Sequence, residues 1–180
     1  MISIEKYKLV WDKHSVNKYY VKSEEKSICP VCSSSMLKVI GSRERKVFKN
    51  SAETIMLVIR RFRCCGCKRI HHELPDLIVP YKRYSSESIE AIVDGNEREV
   101  SCENSSIYRI KRWFGETSGY ILGCLAAIAA QRRLKIEVMK YPIFQSIKGY
   151  VGKERRWLAR AVRTMVNTNN WIHTRSAFMS

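Results

Sequence analysis

A chain of 180 residues with 45% hydrophobic and 10% aromatic residues can fill one ordinary core or two small ones, which excludes disorder throughout. Its 33 Lys and Arg against 17 Asp and Glu give a formal charge of +16, several times what solubility asks of a domain this size, so a polyanionic partner is expected. The first ten residues lack the apolar run of a signal peptide, and the longest apolar run, 120–130, falls short of the roughly 20 residues of a membrane span; the expectation is a cytoplasmic protein without a membrane partner.

The charge is unevenly placed: +3 over residues 1–42, +7 over 43–83, −3 over 84–130 and +9 over 131–180, so two basic segments flank an acidic middle. Residues 1–27 hold Tyr7, Leu9, Trp11, Tyr19, Tyr20 and Val21 among many charges, and 6–10 alternates like a strand. This stretch reads as an N-terminal arm that packs on the segment after it.

Residues 28–80 read as short strands at 36–40, 55–62 and 70–74, with 41–51 either a hairpin loop or the solvated ends of two strands. Two Cys-x2-Cys pairs, Cys29/Cys32 and Cys64/Cys67, bracket this filling. A structural zinc ion wants four soft ligands at tetrahedral corners, and each pair can deliver two thiolates from one tight turn, so a zinc ribbon of antiparallel strands is expected. A redox motif would need one pair only. Cys65 lies inside the second pair and is expected to point away, while Cys102 and Cys124 read as small buried hydrophobes. Four sulfurs complete a closed shell, which argues against catalysis at the metal and leaves His71 and His72 to phosphate contact or packing. The cysteine count is odd and the chain shows no export signal, which points away from disulfides.

After Pro80 the apolar period changes from 2 to about 3.6. Ser85 or Ser86 can cap a helix holding Ile89, Ile92 and Val93 that ends near Asp94-Gly95. A second helix is predicted over 105–114, stopped at Gly115, and a third from Thr117 or Ser118 through Ala130. Pro142 suits the start of a short helix over 143–147, and a last helix is predicted over 153–166, followed by a tail 171–178. The domain reading is an arm 1–27, a zinc ribbon 28–80, a helical DNA-binding region 81–139 and a basic helical region 140–180: an α+β protein whose helical half contains a helix-turn-helix candidate.

Candidate nucleic-acid contacts come from the basic residues. In a strand Arg61 and Arg63 share one face while Arg60 and Phe62 take the other; with Arg43, Arg45 and Lys46 across the hairpin, and Lys68 and Arg69 beyond the second pair, they make a positive stripe for phosphates. In the helix over 105–114, with Ile107, Ile110 and Trp113 inward, Ser105, Tyr108, Arg109, Lys111 and Arg112 face out and can meet base edges. In the last helix Arg156, Arg160 and Arg163 oppose an apolar face of Trp157, Leu158, Ala161, Val162 and Met165.

Cys29-Pro30-Val31-Cys32, Arg60-Arg61-Phe62-Arg63-Cys64-Cys65-Gly66-Cys67, His72-Glu73-Leu74-Pro75 and the Tyr81-Lys82-Arg83-Tyr84-Ser85 lead-in to helices together resemble the N-terminal zinc-binding and helix-turn-helix regions of bacterial insertion-sequence transposases, over about residues 28–114. Nearly the whole chain, with the ending Arg156-Trp157-Leu158-Ala159-Arg160 through Asn170-Trp171-Ile172-His173-Thr174-Arg175, resembles a family of uncharacterised small bacterial proteins of Firmicutes and mobile elements. The resemblance implies zinc on Cys29, Cys32, Cys64 and Cys67 and DNA recognition near 105–113. Two departures stand out: 95–104 is short for a middle helix plus turn, and no acidic triad sits on a large domain, so the cutting half of a transposase is missing.

The functional expectation is a non-enzymatic, sequence-preferring double-stranded DNA-binding protein, either a transposition or recombination accessory factor or a transcription regulator. An RNA-binding module, with Phe62, Tyr81 and Tyr84 stacking bases, and a zinc scaffold for a recombinase or polymerase partner are the alternatives. An enzyme would have to draw on carboxylates such as Glu73 or Asp76.

Overall fold

The β-branched, apolar stretch Thr54–Cys64 forms strand β5, the centre of a six-stranded sheet in the computed structural model, which describes residues 1–134 and 143–171. The other strands are β1 (Ile2–Ile4), β2 (Tyr7–Trp11), β3 (Lys18–Ser23), β4 (Leu37–Phe48) and β6 (Ile70–Pro75). One flank of β5 pairs antiparallel with β4 from Leu37 opposite Cys64 to Phe48 opposite Thr54. The other flank meets β3 in parallel over Met56–Val58 and then β6 antiparallel over Arg61–Arg63. β2 hairpins onto β3, and β1 lies parallel to β6. The result is a curled half-barrel, mostly antiparallel, in which residues 1–27 supply three strands.

β4 is longer than the sequence suggests. Polar residues of 41–46, expected as a loop or solvated strand ends, continue the ladder because their main chains pair with β5 while most of their side chains reach solvent. The turn is confined to 49–53, closed by the Lys49 amide donating to the Glu53 carbonyl and by their 2.9 Å ion pair. Gly41, at φ 136° beside the register shift between Val39 and Gly41, forms the irregularity that bends β4.

Among the described residues four helices follow the sheet: α1 (Ser86–Val93), α2 (Asn104–Gln131), α3 (Ile143–Val151) and α4 (Trp157–Asn167). Ser85 caps α1, its side chain accepting from the Ser88 amide. The connection 94–103 contains a single 3-10 turn, Glu97–Glu99. The two helices expected over 105–114 and 117–130 are one. Gly115 does not stop α2 because the inward stripe of Ile110, Trp113, Phe114, Thr117, Ser118, Ile121, Leu125 and Ile128 runs through it, and that burial outweighs the roughly 1 kcal/mol a helical glycine costs. Lys135, Pro142 with its helix start, the boundary at 139 and the tail from Ile172, including His173 and Arg175, lie outside the described residues.

Two hydrophobic cores meet at Ile78 and Val79: Ile2, Ile4, Ile55, Leu57, Ile59 and Leu74 belong to the sheet, and Ile89, Ile92, Trp113, Ile121, Trp157, Leu158 and Met165 to the helices. α4 is tied to the sheet edge by Asn167, whose amide side chain bonds both the amide (2.8 Å) and carbonyl (2.9 Å) of Ser3, taking the place of a further strand beside β1.

Candidate metal centre and basic groove

The two cysteine pairs fold into matching turns. In each, the residue after the second cysteine (Ser33, Lys68) has a left-handed backbone and donates its amide to the carbonyl of the first (Cys29, Cys64); the amide of that first cysteine donates to the carbonyl five residues on (Ser34, Arg69). These turns bring Cys29, Cys32, Cys64 and Cys67 together with all ligand sulfurs within 4.8 Å of one another. Cys29 and Cys67 are 3.6 Å apart, as are Cys32 and Cys64. A tetrahedron with metal–sulfur bonds of about 2.3 Å has edges of about 3.8 Å, so the four fit a single ion.

The surroundings act in opposite directions on two of the cysteines. Burial pushes the Cys29 thiol up to about 11; at Cys64 burial also acts upward, but the amides of Cys67 and Gly66 and the Cys32 sulfur outweigh it and bring the thiol down to about 6. Gly66 lies close under the cluster, where a Cβ would meet Cys32 Sγ at 3.5 Å. Buried His71 places Nε2 3.3 Å from Cys29 Sγ and Nδ1 3.3 Å from the Met1 nitrogen. If Met1 donates to Nδ1, Nε2–H is left to donate to the sulfur, the way outer groups orient metal thiolates. Cys65 is exposed and outside the cluster, and Cys102 and Cys124 pack half-buried against the helical core.

The two carboxylates that the sequence offers to an enzyme are both engaged inside the molecule. Glu73 is fully buried, gripped bidentately by Arg60 (2.7 and 2.9 Å) and by Ser27. Asp76 pairs with Arg156 and accepts from Tyr7.

The predicted contact residues divide into four groups. Arg43, Arg45 and Arg61 lie opposite Ile59, Leu57 and His72 respectively, and so share the face that buries Ile55, Leu57 and Ile59, whereas Lys46, opposite Met56, alternates to the other face and lies 5.1 Å over the Phe48 ring. Arg63, Lys68 and Arg69 are exposed beside the second cysteine turn. Ser105, Tyr108, Arg109, Lys111 and Arg112 line the first turns of α2; Lys111 pairs with Glu97 and Arg112 with Glu116, while Tyr108 is 67% exposed. Arg156, Arg160 and Arg163 are occupied inside the molecule: Arg156 with Asp76, Arg160 with the carbonyls of Val151, Gly152, Glu154 and Arg155, and Arg163 with Glu5 and Glu25.

Arg43 and Arg45 of the first group open into a cavity of about 570 Å³ walled by β4, by His72 and Leu74 of β6, and by the turn 80–83. A neighbouring hollow of about 380 Å³ shares Tyr81, Lys82 and Arg83 and continues to Ser106 and Arg109 of α2. The sheet arginines and the head of α2 are therefore joined in one groove. Its electrostatics are strongly positive. Burial, then Arg45, Arg43 and Arg61, drives His72 down to about 4; burial, then Arg43, lowers Arg45; and burial brings Lys82, which lies 4.3 Å over the Trp113 ring, to about 8. Glu44, the one carboxylate among the residues lining the larger cavity, is paired with Lys18 at 2.7 Å. Lys82 and Arg83 are not among the contacts that the sequence suggests. Their signal is the Tyr-Lys-Arg-Tyr lead-in, which only the turn after Pro80 folds against β4.

A protein-family model described as a domain of unknown function (DUF6431) matches residues 29–113, from the first cysteine to Trp113 of α2. The matched stretch contains both cysteine turns, β4 to β6, the turn 80–83 and α1, so all of the metal centre and most of the groove are similar to that domain. No curated protein and no solved structure matches the chain. Among the described residues no helix is long and apolar enough to cross a membrane.

Proposed function

We propose that this chain is a nucleic-acid-binding protein in which a structural zinc ion on Cys29, Cys32, Cys64 and Cys67 fixes the β4–β5 hairpin, so that β4 and α2 together grip double-stranded DNA. The continuity of the basic groove carries this reading: Arg43 and Arg45 of β4, Lys82 and Arg83 of the turn and Arg109 of α2 follow one path with almost no acid on it. The ion closes the loop between its two pairs of ligands and supplies rigidity to the strands; its filled sulfur shell leaves it no position for substrate, and the role is binding without catalysis. Arg and Lys on the path meet phosphates, and Tyr108 and Arg109 on the exposed face of α2 read base edges. With the likeness to transposase N-terminal regions, this fits a transposition accessory factor or a transcription regulator.

Anisotropy titrations of a labelled duplex over 50–200 mM salt test it. Arg43→Ala, Arg45→Ala and Arg109→Ala are each expected to flatten the log–log salt slope by about one unit, while Lys13→Ala in the β2–β3 turn, which lines neither hollow, leaves it unchanged. Absence of duplex binding, or slopes equal to wild type in all three variants, refutes the proposal. Binding of an acidic protein without nucleic-acid affinity would instead support a scaffold.

A further inference from the structure

The cavity over β4 and β6 has a property that the open face of α2 lacks. At about 570 Å³ it is the size of a small-ligand pocket and far too small for a duplex. Its walls differ in chemistry. Arg43 and Arg45 stand on one side, and neither forms an ion pair among the described residues. On the other side Tyr81 is 59% exposed and held at φ 65°, a left-handed conformation unfavourable to a bulky side chain. His72 also lines the cavity, and its ring, which burial and the neighbouring arginines favour in the neutral form, offers one donor and one acceptor.

Two other aromatic residues near the basic surface pack away from this cavity. Phe62 is buried with the Arg60 guanidinium 5.0 Å over its ring, and Tyr84 packs on Phe48 with centroids 5.4 Å apart. Tyr81 is the aromatic that lines the cavity, at the cost of backbone strain, beside two guanidinium groups.

We infer that the cavity takes one unpaired, phosphorylated nucleotide, with its phosphate between Arg43 and Arg45 and its base stacked on Tyr81. This deepens the nucleic-acid reading and rests on it: a duplex lies along the groove across the mouth of the cavity, and where an end, a single-stranded stretch or a flipped position meets the cavity, Arg43 and Arg45 take the phosphate of that nucleotide in place of a duplex phosphate. Phosphate and aromatic face are properties common to all nucleotides, so little preference for base identity is expected.

The test uses the zinc-loaded full chain and a labelled 5′-phosphorylated single-stranded hexadeoxynucleotide, competed with unlabelled deoxynucleoside monophosphate, inorganic phosphate and a blunt duplex. Arg45→Ala and Tyr81→Ala are each expected to weaken strand binding about tenfold, with Tyr81→Phe close to wild type. Monophosphate should displace the strand at far lower concentration than inorganic phosphate; equal displacement by the two would overturn base stacking. Because any side chain at position 81 must adopt φ 65°, Tyr81→Gly should be at least as stable as wild type and still lose strand affinity, which separates binding from folding. Strand affinity unaffected by both Tyr81→Ala and Tyr81→Gly overturns the inference. If duplex binding persists in that case, the groove reading survives; if the strand binds through Tyr81 but the duplex does not bind, the cavity stands and the duplex reading falls.

Discussion

Glu90 joins two helices that are far apart in sequence, and its replacement measures how the helical half is held. Its carboxylate, in the last turn of α1, accepts the amides of Arg156 (2.7 Å) and Leu158 (2.9 Å) at the start of α4. Arg156, the residue before α4, has a left-handed backbone and supplies no side-chain cap of its own, so Glu90 acts as the cap from another helix. Each charge-assisted bond contributes about 1.5–3 kcal/mol, and the negative charge at a helix N-terminus adds about 0.3–1 kcal/mol. Against this, burial pushes the Glu90 carboxyl above its ordinary range by more than the Leu158 and Arg156 amides bring it down. Glu90→Ala strands two donors in a buried place and is expected to cost about 3–5 kcal/mol. Glu90→Gln keeps one acceptor and is expected to cost about 1–2 kcal/mol. Urea unfolding of the zinc-loaded protein at pH 7, with m-values compared, reads both. A loss below about 1 kcal/mol for Glu90→Ala, or equal losses for Ala and Gln, would refute the capping role.

Two further expectations rest on particular contacts. Metal analysis should find one zinc per chain, with Cys65→Ser retaining it and Cys64→Ser losing it; chelation should abolish the near-ultraviolet circular dichroism of the sheet half, and metal retained by Cys64→Ser would sink the ligand assignment. On α2, a Cβ at Gly119 would meet nothing within 4 Å, so Gly119→Ala should stabilise the chain by about 1 kcal/mol and raise Tm by about 2–4 °C. A calorimetric decrease would mean that this glycine face is covered.

The contrast between α2 and β4 explains how far the sequence can be read. Cysteine spacing identifies the metal cluster because Cys-x2-Cys is a local geometric device: the ligands are placed by turns of a few residues, and the two turns need only meet. The inward stripe of α2 is equally visible, yet Gly115 reads as a stop, because a local propensity of about 1 kcal/mol cannot be compared with burial before the partner surface is known. β4 is underestimated for a related reason. Residues 41–46 carry no strand-like alternation, and what makes them a strand is the long ladder of β5 beside them.

Charge is the feature that tertiary structure most rearranges. The excess of Lys and Arg, and hence the expectation of an anionic partner, comes from composition alone. Which cations are available to that partner does not. Arg156, Arg160 and Arg163 look from helical spacing like a basic outer face, but they close on Asp76, on loop carbonyls and on Glu5 and Glu25. Arg43 and Arg45 line the cavity with His72 and the turn 80–83, and lie opposite apolar Ile59 and Leu57 of β5 with no carboxylate across the ladder. Sequence determines how many charges a chain carries and the secondary structure they favour. The pairing of those charges depends on contacts between residues as much as a hundred or more positions apart, and only the assembled fold decides it.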